Sequence, residues 1–125
     1  MQHTDADTTI GTLKAAVERF VSDRKWQVFH TPKNVAMALI VEAAELPNVF
    51  KWHSGKQSLK ALRVRRLRTA VGDELADVVI YCLTFANCTG IDISTEVLRK
   101  IKKNERKYPV RRYIGRTTVR RYPRR

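Results

Sequence analysis

From Val35 to Leu46 the sequence reads VAMALIVEAAEL, apolar around the full circumference of a helix except at Glu42 and Glu45. Such a helix is stable only when other elements, or other copies of the chain, cover it on every side. Thr31-Pro32 marks its start: a capping hydroxyl, then a proline at the first helical position, where the missing N–H costs nothing. Pro47 removes a helical hydrogen bond and clashes with the carbonyl of Ala43, so the helix is expected to kink or end there. His53-Ser54-Gly55 breaks the segment outright. A second central helix is expected through Val78 to Ile91, a stretch with no charged residue, running to about Cys88 with Gly90 as its stop. Its start is open: Ser58 can cap it, or Arg63, Arg65, Arg66 and Arg68 can lie in a longer connection.

Ahead of both, Thr8 to Gln27 places Ile10, Leu13, Ala16, Val17, Phe20 and Val21 on one amphipathic stripe, a first helix. Ser94 opens another, through about Lys107. Beyond Tyr108-Pro109, the residues Tyr113, Ile114, Thr117, Val119 and Tyr122 alternate loosely with arginines, an irregular tail with room for an edge strand. With no sustained strand pattern and no repeat, the expected class is all-α, a bundle of four to five helices. The 125 residues form one domain, 1–109, followed by a basic tail, 110–125. A chain of this length buries enough surface to need neither disulfide nor structural metal.

Charge is unevenly spread. Arg99 to the C-terminus holds 13 basic residues and one acid, whereas the first 98 residues hold 12 basic and 11 acidic ones. The near-neutral body argues against reading the whole domain as a nucleic-acid binder from its pI. Cys82 and Cys88 lie six apart on one helix, about 9 Å of rise and beyond disulfide reach, so free thiols and a reducing, cytoplasmic setting are expected. No apolar run reaches the roughly 18 residues of a membrane span, and Met1 to Thr9 is polar and acidic, unlike a signal peptide; no membrane partner is expected.

Glu42 and Glu45, and again Glu74 and Asp77, are pairs three residues apart that face one way on a helix. Their i+4 neighbours are Leu46, Val49, Val78 and Tyr81, and their i−4 neighbours are Ala38, Val41, Ala70 and Asp73, so no cation is within helical reach. Unpaired carboxylates in apolar surroundings either protonate or acquire a cation. The midpoint of 42 and 77 is also that of 45 and 74, so an antiparallel hairpin turning past Ser58 aligns both pairs. A turn centred on Gly55 would offset them by about 13 Å. Oxygen-only ligands point to Mg²⁺, with Mn²⁺ as substitute. Two other readings are open: exposed acidic stripes, or pairing with Arg65 or Arg68. A ferritin-like di-iron bundle fits poorly, since neither His30 nor His53 stands three residues after an acid.

The pattern Glu42-x-x-Glu45, Glu74-x-x-Asp77, then Lys100-x-x-x-Asn104-x-x-Lys107-Tyr108-Pro109 closely resembles the all-α MazG-like nucleoside triphosphate pyrophosphohydrolases. The segment Trp26 to Asn34 resembles their dCTP pyrophosphatase branch, and the match covers roughly Phe20 to Pro109. The resemblance implies Mg²⁺-dependent hydrolysis of a nucleoside triphosphate, dCTP or a related pyrimidine nucleotide, to monophosphate and pyrophosphate. Mg²⁺ would be held by Glu42, Glu45, Glu74 and Asp77, with water attacking the α-phosphorus. Glu42 is the candidate base, because a base must lie near the water without being committed to the metal. Lys100 and Lys107, with Arg106, would meet the phosphates, and Asn104 would donate hydrogen bonds to them. Trp26, His30, Trp52 and Tyr81 match positions lining the nucleobase pocket, and Tyr108 belongs to the same substrate-binding set.

In this reading the active site lies between two central antiparallel helices and is completed by oligomerisation, as a homodimer or homotetramer. Val41 and Ala43-Ala44 stand where the family motif has smaller, glycine-containing surroundings. The competing function is a non-catalytic nucleic-acid-binding protein acting through the basic tail, a role less favoured than a solvated terminus or subunit contact.

Overall fold

The computed structural model describes residues 3–115, and among them every regular element is a helix. α1 spans Ile10–Asp23, capped by Thr9, whose hydroxyl accepts from the Thr12 amide at 3.1 Å. The expected continuation to Gln27 fails at Lys25, which adopts a left-handed φ of 55° and turns the chain into a 3-10 helix, Trp26–Phe29. α2 spans Pro32–Asn48, and its Thr31 hydroxyl accepts from Asn34 N at 3.2 Å. The Asn34 amide reaches back to the Phe29 carbonyl at 3.2 Å, tying the 3-10 turn to the start of α2. Pro47 falls in the last turn, and the helix ends one residue later.

The expected break at 53–55 is itself a start. Ser54 and Gln57 form a reciprocal capping box, Ser54 N donating to Gln57 Oε1 at 2.8 Å and Gln57 N to Ser54 Oγ at 3.3 Å. It opens α3, Gly55–Ala61. α4 runs Arg65–Thr89 and stops at Gly90, whose φ of 71° is the left-handed cap that glycine adopts freely. Arg65, Arg66 and Arg68 therefore lie on α4, Arg63 in the connection, and Ser58 inside α3.

α2 and α4 form the principal helix pair, with α1 packed on α4. Their shared core is small: Val35, Leu83 and Ala86 are 1–3% exposed, and the buried Thr84 hydroxyl donates to the Ile80 carbonyl at 2.8 Å. Asn87 Nδ2 donates to the Lys14 carbonyl at 3.0 Å, and Lys14 Nζ to the Ile91 carbonyl at 3.3 Å, locking α1 onto the C-terminal half of α4. Cys82 and Cys88 are free thiols. No single helix among the described residues is long and apolar enough to cross a membrane.

A second compact unit begins at Asp92. Asp92, not Ser94, caps its α5, Ile93–Lys107, accepting from Thr95 N at 2.8 Å. Arg99 pairs with Glu96 on the same helix. A single turn, α6, covers Val110–Tyr113, and the Tyr108 and Tyr113 rings meet edge to face at 5.3 Å. Val110–Tyr113 is thus helical where an edge strand was open; Thr117, Val119 and Tyr122 lie outside the described residues, as does most of the basic tail.

Candidate active site

The connection between α2 and α4 extends past Ser58 to Val64, as the shared midpoint of the two acid pairs requires. Across the helix pair, one carboxylate oxygen each from Glu42, Glu74 and Asp77 lies within 4.8 Å of the other two. Glu42 and Glu74 are half-buried and Asp77 is exposed. Glu45, nearly one turn beyond Glu42, stands outside this group; it is exposed and accepts from Asn48 Nδ2 at 3.4 Å. Among the described residues no cation forms an ion pair with any of the four, Arg65 and Arg68 included.

The electrostatic consequence falls on Glu74. Partial burial raises its pKa above the ordinary carboxylate value, and the negative charges of Glu45, Asp77, Glu42 and Asp73 raise it further. Glu45 is therefore close enough to act on the cluster even though its oxygens lie outside the group of three. Converging carboxylates with no other donor type fit a hard divalent cation, which takes oxygen ligands and leaves positions for water and phosphate.

Further along α4 is a cavity of about 330 Å³ between α1, the 3-10 turn and the helix's C-terminal half, with His30, Gln27, Val17, Val21, Thr84 and Asn87 in its wall. Thr84 follows Asp77 by seven residues, two helical turns or about 10 Å on the same face, with Tyr81 between. Of the expected base-pocket residues, only half-buried His30 lines this cavity. Trp26 opens the 3-10 turn, 44% exposed and edge-on to Phe20 at 5.8 Å, with the Arg24 guanidinium above Phe20. Trp52 lies in the connection after α2, 85% exposed, in a separate groove with His53, Gln57 and Lys60. Lys100, Asn104 and Lys107 share one face of α5, and Tyr108 caps it, with Lys107 Nζ 5.1 Å from its ring centroid. Thr84 and Asn87 were not singled out from sequence. Their signal was present: polar side chains three apart in a charge-free helical stretch, in register with Asp77 and Tyr81.

A model of the MazG-like family matches residues 37–116, which include all four acids and α5. The chain belongs to the MazG-like family. Among the relatives of this MazG-like chain, dCTP pyrophosphatase 1 of Homo sapiens is 31% identical over 116 residues, covering 93% of this chain and 67% of that protein. The Bos taurus protein of the same name is 31% identical over 105 residues, 84% of this chain and 62% of that protein. The MazG-like chain thus spans about three-fifths to two-thirds of the length of these curated relatives. A pyrophosphatase of known structure from Archaeoglobus fulgidus aligns with a TM-score of 0.75 at 35% identity, covering 87% of this chain and 98% of that one.

Proposed function

We propose that this MazG-like chain is a nucleoside triphosphate pyrophosphohydrolase, dependent on Mg²⁺ or Mn²⁺, that releases monophosphate and pyrophosphate. The observation that carries the reading is the convergence of Glu42, Glu74 and Asp77, from two helices, with no protein cation among them. A divalent cation held there would screen the triphosphate's charge and would favour ionisation of a water. Of Glu42, Glu45, Glu74 and Asp77, the three that converge, Glu42, Glu74 and Asp77, would hold it. Glu45, whose carboxylate stands outside that group of three, would be the base for the attacking water in preference to Glu42, which converges with the metal-binding set.

The substrate is dCTP, the nucleotide in the relatives' names, or a related pyrimidine triphosphate. The cavity beside His30 has room for a base and opens beside Thr84, two turns along α4 from Asp77. The test is product analysis by anion exchange after incubation with dCTP and the other common triphosphates. The expected products are monophosphate and pyrophosphate, lost in Glu45→Gln, in Asp77→Asn and on chelation. Diphosphate plus phosphate would move attack to the terminal phosphorus and overturn the mechanism.

The enzyme acts as a homodimer or homotetramer. Only Val35 of α2 is buried, while Met37, Ile40 and Val41 are 57–69% exposed. Leu75, Val79 and Ile80 of α4, the helix paired with α2, are exposed too. An apolar helical surface of this kind is covered in solution, and a second copy presents the matching one.

A further inference from the structure

The cavity between α1, the 3-10 turn and α4 offers hydrogen-bond acceptors and donors unequally. Three side chains in its wall have their single donor committed to a backbone carbonyl. The Ser22 hydroxyl donates to the Arg19 carbonyl at 3.2 Å, the Thr84 hydroxyl to that of Ile80 at 2.8 Å, and the Cys88 thiol to that of Phe85 at 3.3 Å. A carbonyl oxygen only accepts, so each contact fixes where the hydrogen points, and what these groups have left for a ligand is acceptor capacity. Glu18, also in the wall, adds a carboxylate.

Asn87 stands in the same wall, half-buried and three residues after Thr84 on one face of α4. Its Nδ2 donates to the Lys14 carbonyl at 3.0 Å, which fixes the orientation of the amide. Its Oδ1 accepts from no group among the described residues. None of their buried side-chain oxygens lacks a partner, so Oδ1 is open rather than sealed in the core. The tie to α1 makes it an acceptor that cannot be exchanged for a donor by turning the amide over. Gln27 differs: with no side-chain bond among the described residues, it can turn either end of its amide inward.

We propose that Asn87 is a specificity-determining residue, its Oδ1 accepting from the exocyclic amino group of a cytosine base, with the acceptor-rich wall around it excluding uracil and thymine. The inference rests on the proposed hydrolase reading, in which the base enters this cavity. Cytosine carries an amino donor at position 4. Uracil and thymine carry a carbonyl oxygen there, which would set acceptor against acceptor and leave both without a partner once water is displaced. Gln27 can serve ring nitrogen N3 whether or not it bears a hydrogen, so the discrimination falls to the amide that is held in place.

The test is calorimetric binding of dCMP, dUMP and the matching 2-pyrimidinone nucleotide, which has neither group at position 4, to the full-length protein in the presence of Mg²⁺. The parent is expected to bind dCMP at least about tenfold more tightly than dUMP, with the pyrimidinone nucleotide between them. Asn87→Ala is expected to bring dCMP and dUMP within about threefold of each other. Asn87→Asp keeps an acceptor but loses the donation to Lys14, so it should melt at a lower temperature and still prefer dCMP. A residue that only ties α4 to α1 would behave otherwise, both variants weakening the two nucleotides alike and leaving their ratio as in the parent. That result, equal affinities in the parent, or no affinity for either nucleotide would overturn the proposal. The hydrolase reading fails separately, on finding no pyrophosphate released from any triphosphate; a dCMP preference lost in Asn87→Ala would still assign the cavity to cytosine.

Discussion

Glu74 is the residue on which the acid cluster leaves its clearest mark. Its folded pKa lies above its ordinary value, so it stabilises the metal-free fold below the ordinary carboxylate range, and that contribution is lost as pH rises through the raised value. Glu74→Gln is therefore expected to melt higher than the parent at pH 7 without metal, with the difference shrinking toward pH 4; thermal scans at both pH values check this. Saturating Mg²⁺ should reverse the order at pH 7, since the parent gains about 2.7 kcal/mol at a hundredfold excess over Kd. Glu42→Gln and Glu45→Gln distinguish ligand from base. Loss of the base lowers kcat about 10²–10⁴-fold even at saturating metal and flattens the acidic limb of the pH–rate profile, whereas loss of a ligand raises the metal requirement. The acids were legible in the sequence because a carboxylate without a cation three or four residues away is conspicuous on an apolar helix. The different standing of Glu45 was not, because it depends on where α2 ends and on Asn48 as a partner.

At the scale of elements, the central helices were readable from their caps and breakers: Thr31-Pro32 starts α2, and Gly90 stops α4. What escaped was short. α3 has only seven residues, too few to show a period, and its one signal is the capping box inside a segment that reads as a breaker. Ser54→Ala removes that cap at a cost of about 1 kcal/mol, and hydrogen exchange should show the amides of α3 opening while those of α4 stay protected. Lys25 escaped for another reason, since the apolar stripe of α1 continues past a residue whose backbone is left-handed. Lys25→Gly should be neutral or stabilise by up to about 1 kcal/mol, measurable by denaturant unfolding.

For the molecule as a whole, composition indicated one all-helical domain, but averaging charge over the first 98 residues concealed the run from Lys51 to Gly72, which holds seven basic residues and no acid. The expected oligomer has a direct check. Ile40→Glu should convert the assembly to smaller species on light scattering, because it sets a charge on a face that the proposed second copy covers. The rigid course of α4 carries a different consequence. The acid cluster and the cavity beside His30 are mounted on one uninterrupted helix, Asp77 and Thr84 two turns apart, with no hinge between them. One residue inserted between those positions would swing the cavity wall by about 100° relative to the carboxylates, whereas a loop can absorb such an insertion. The α2–α4 connection can therefore drift in length between lineages, while the stretch from Asp77 to Thr84 can lengthen or shorten only in whole turns.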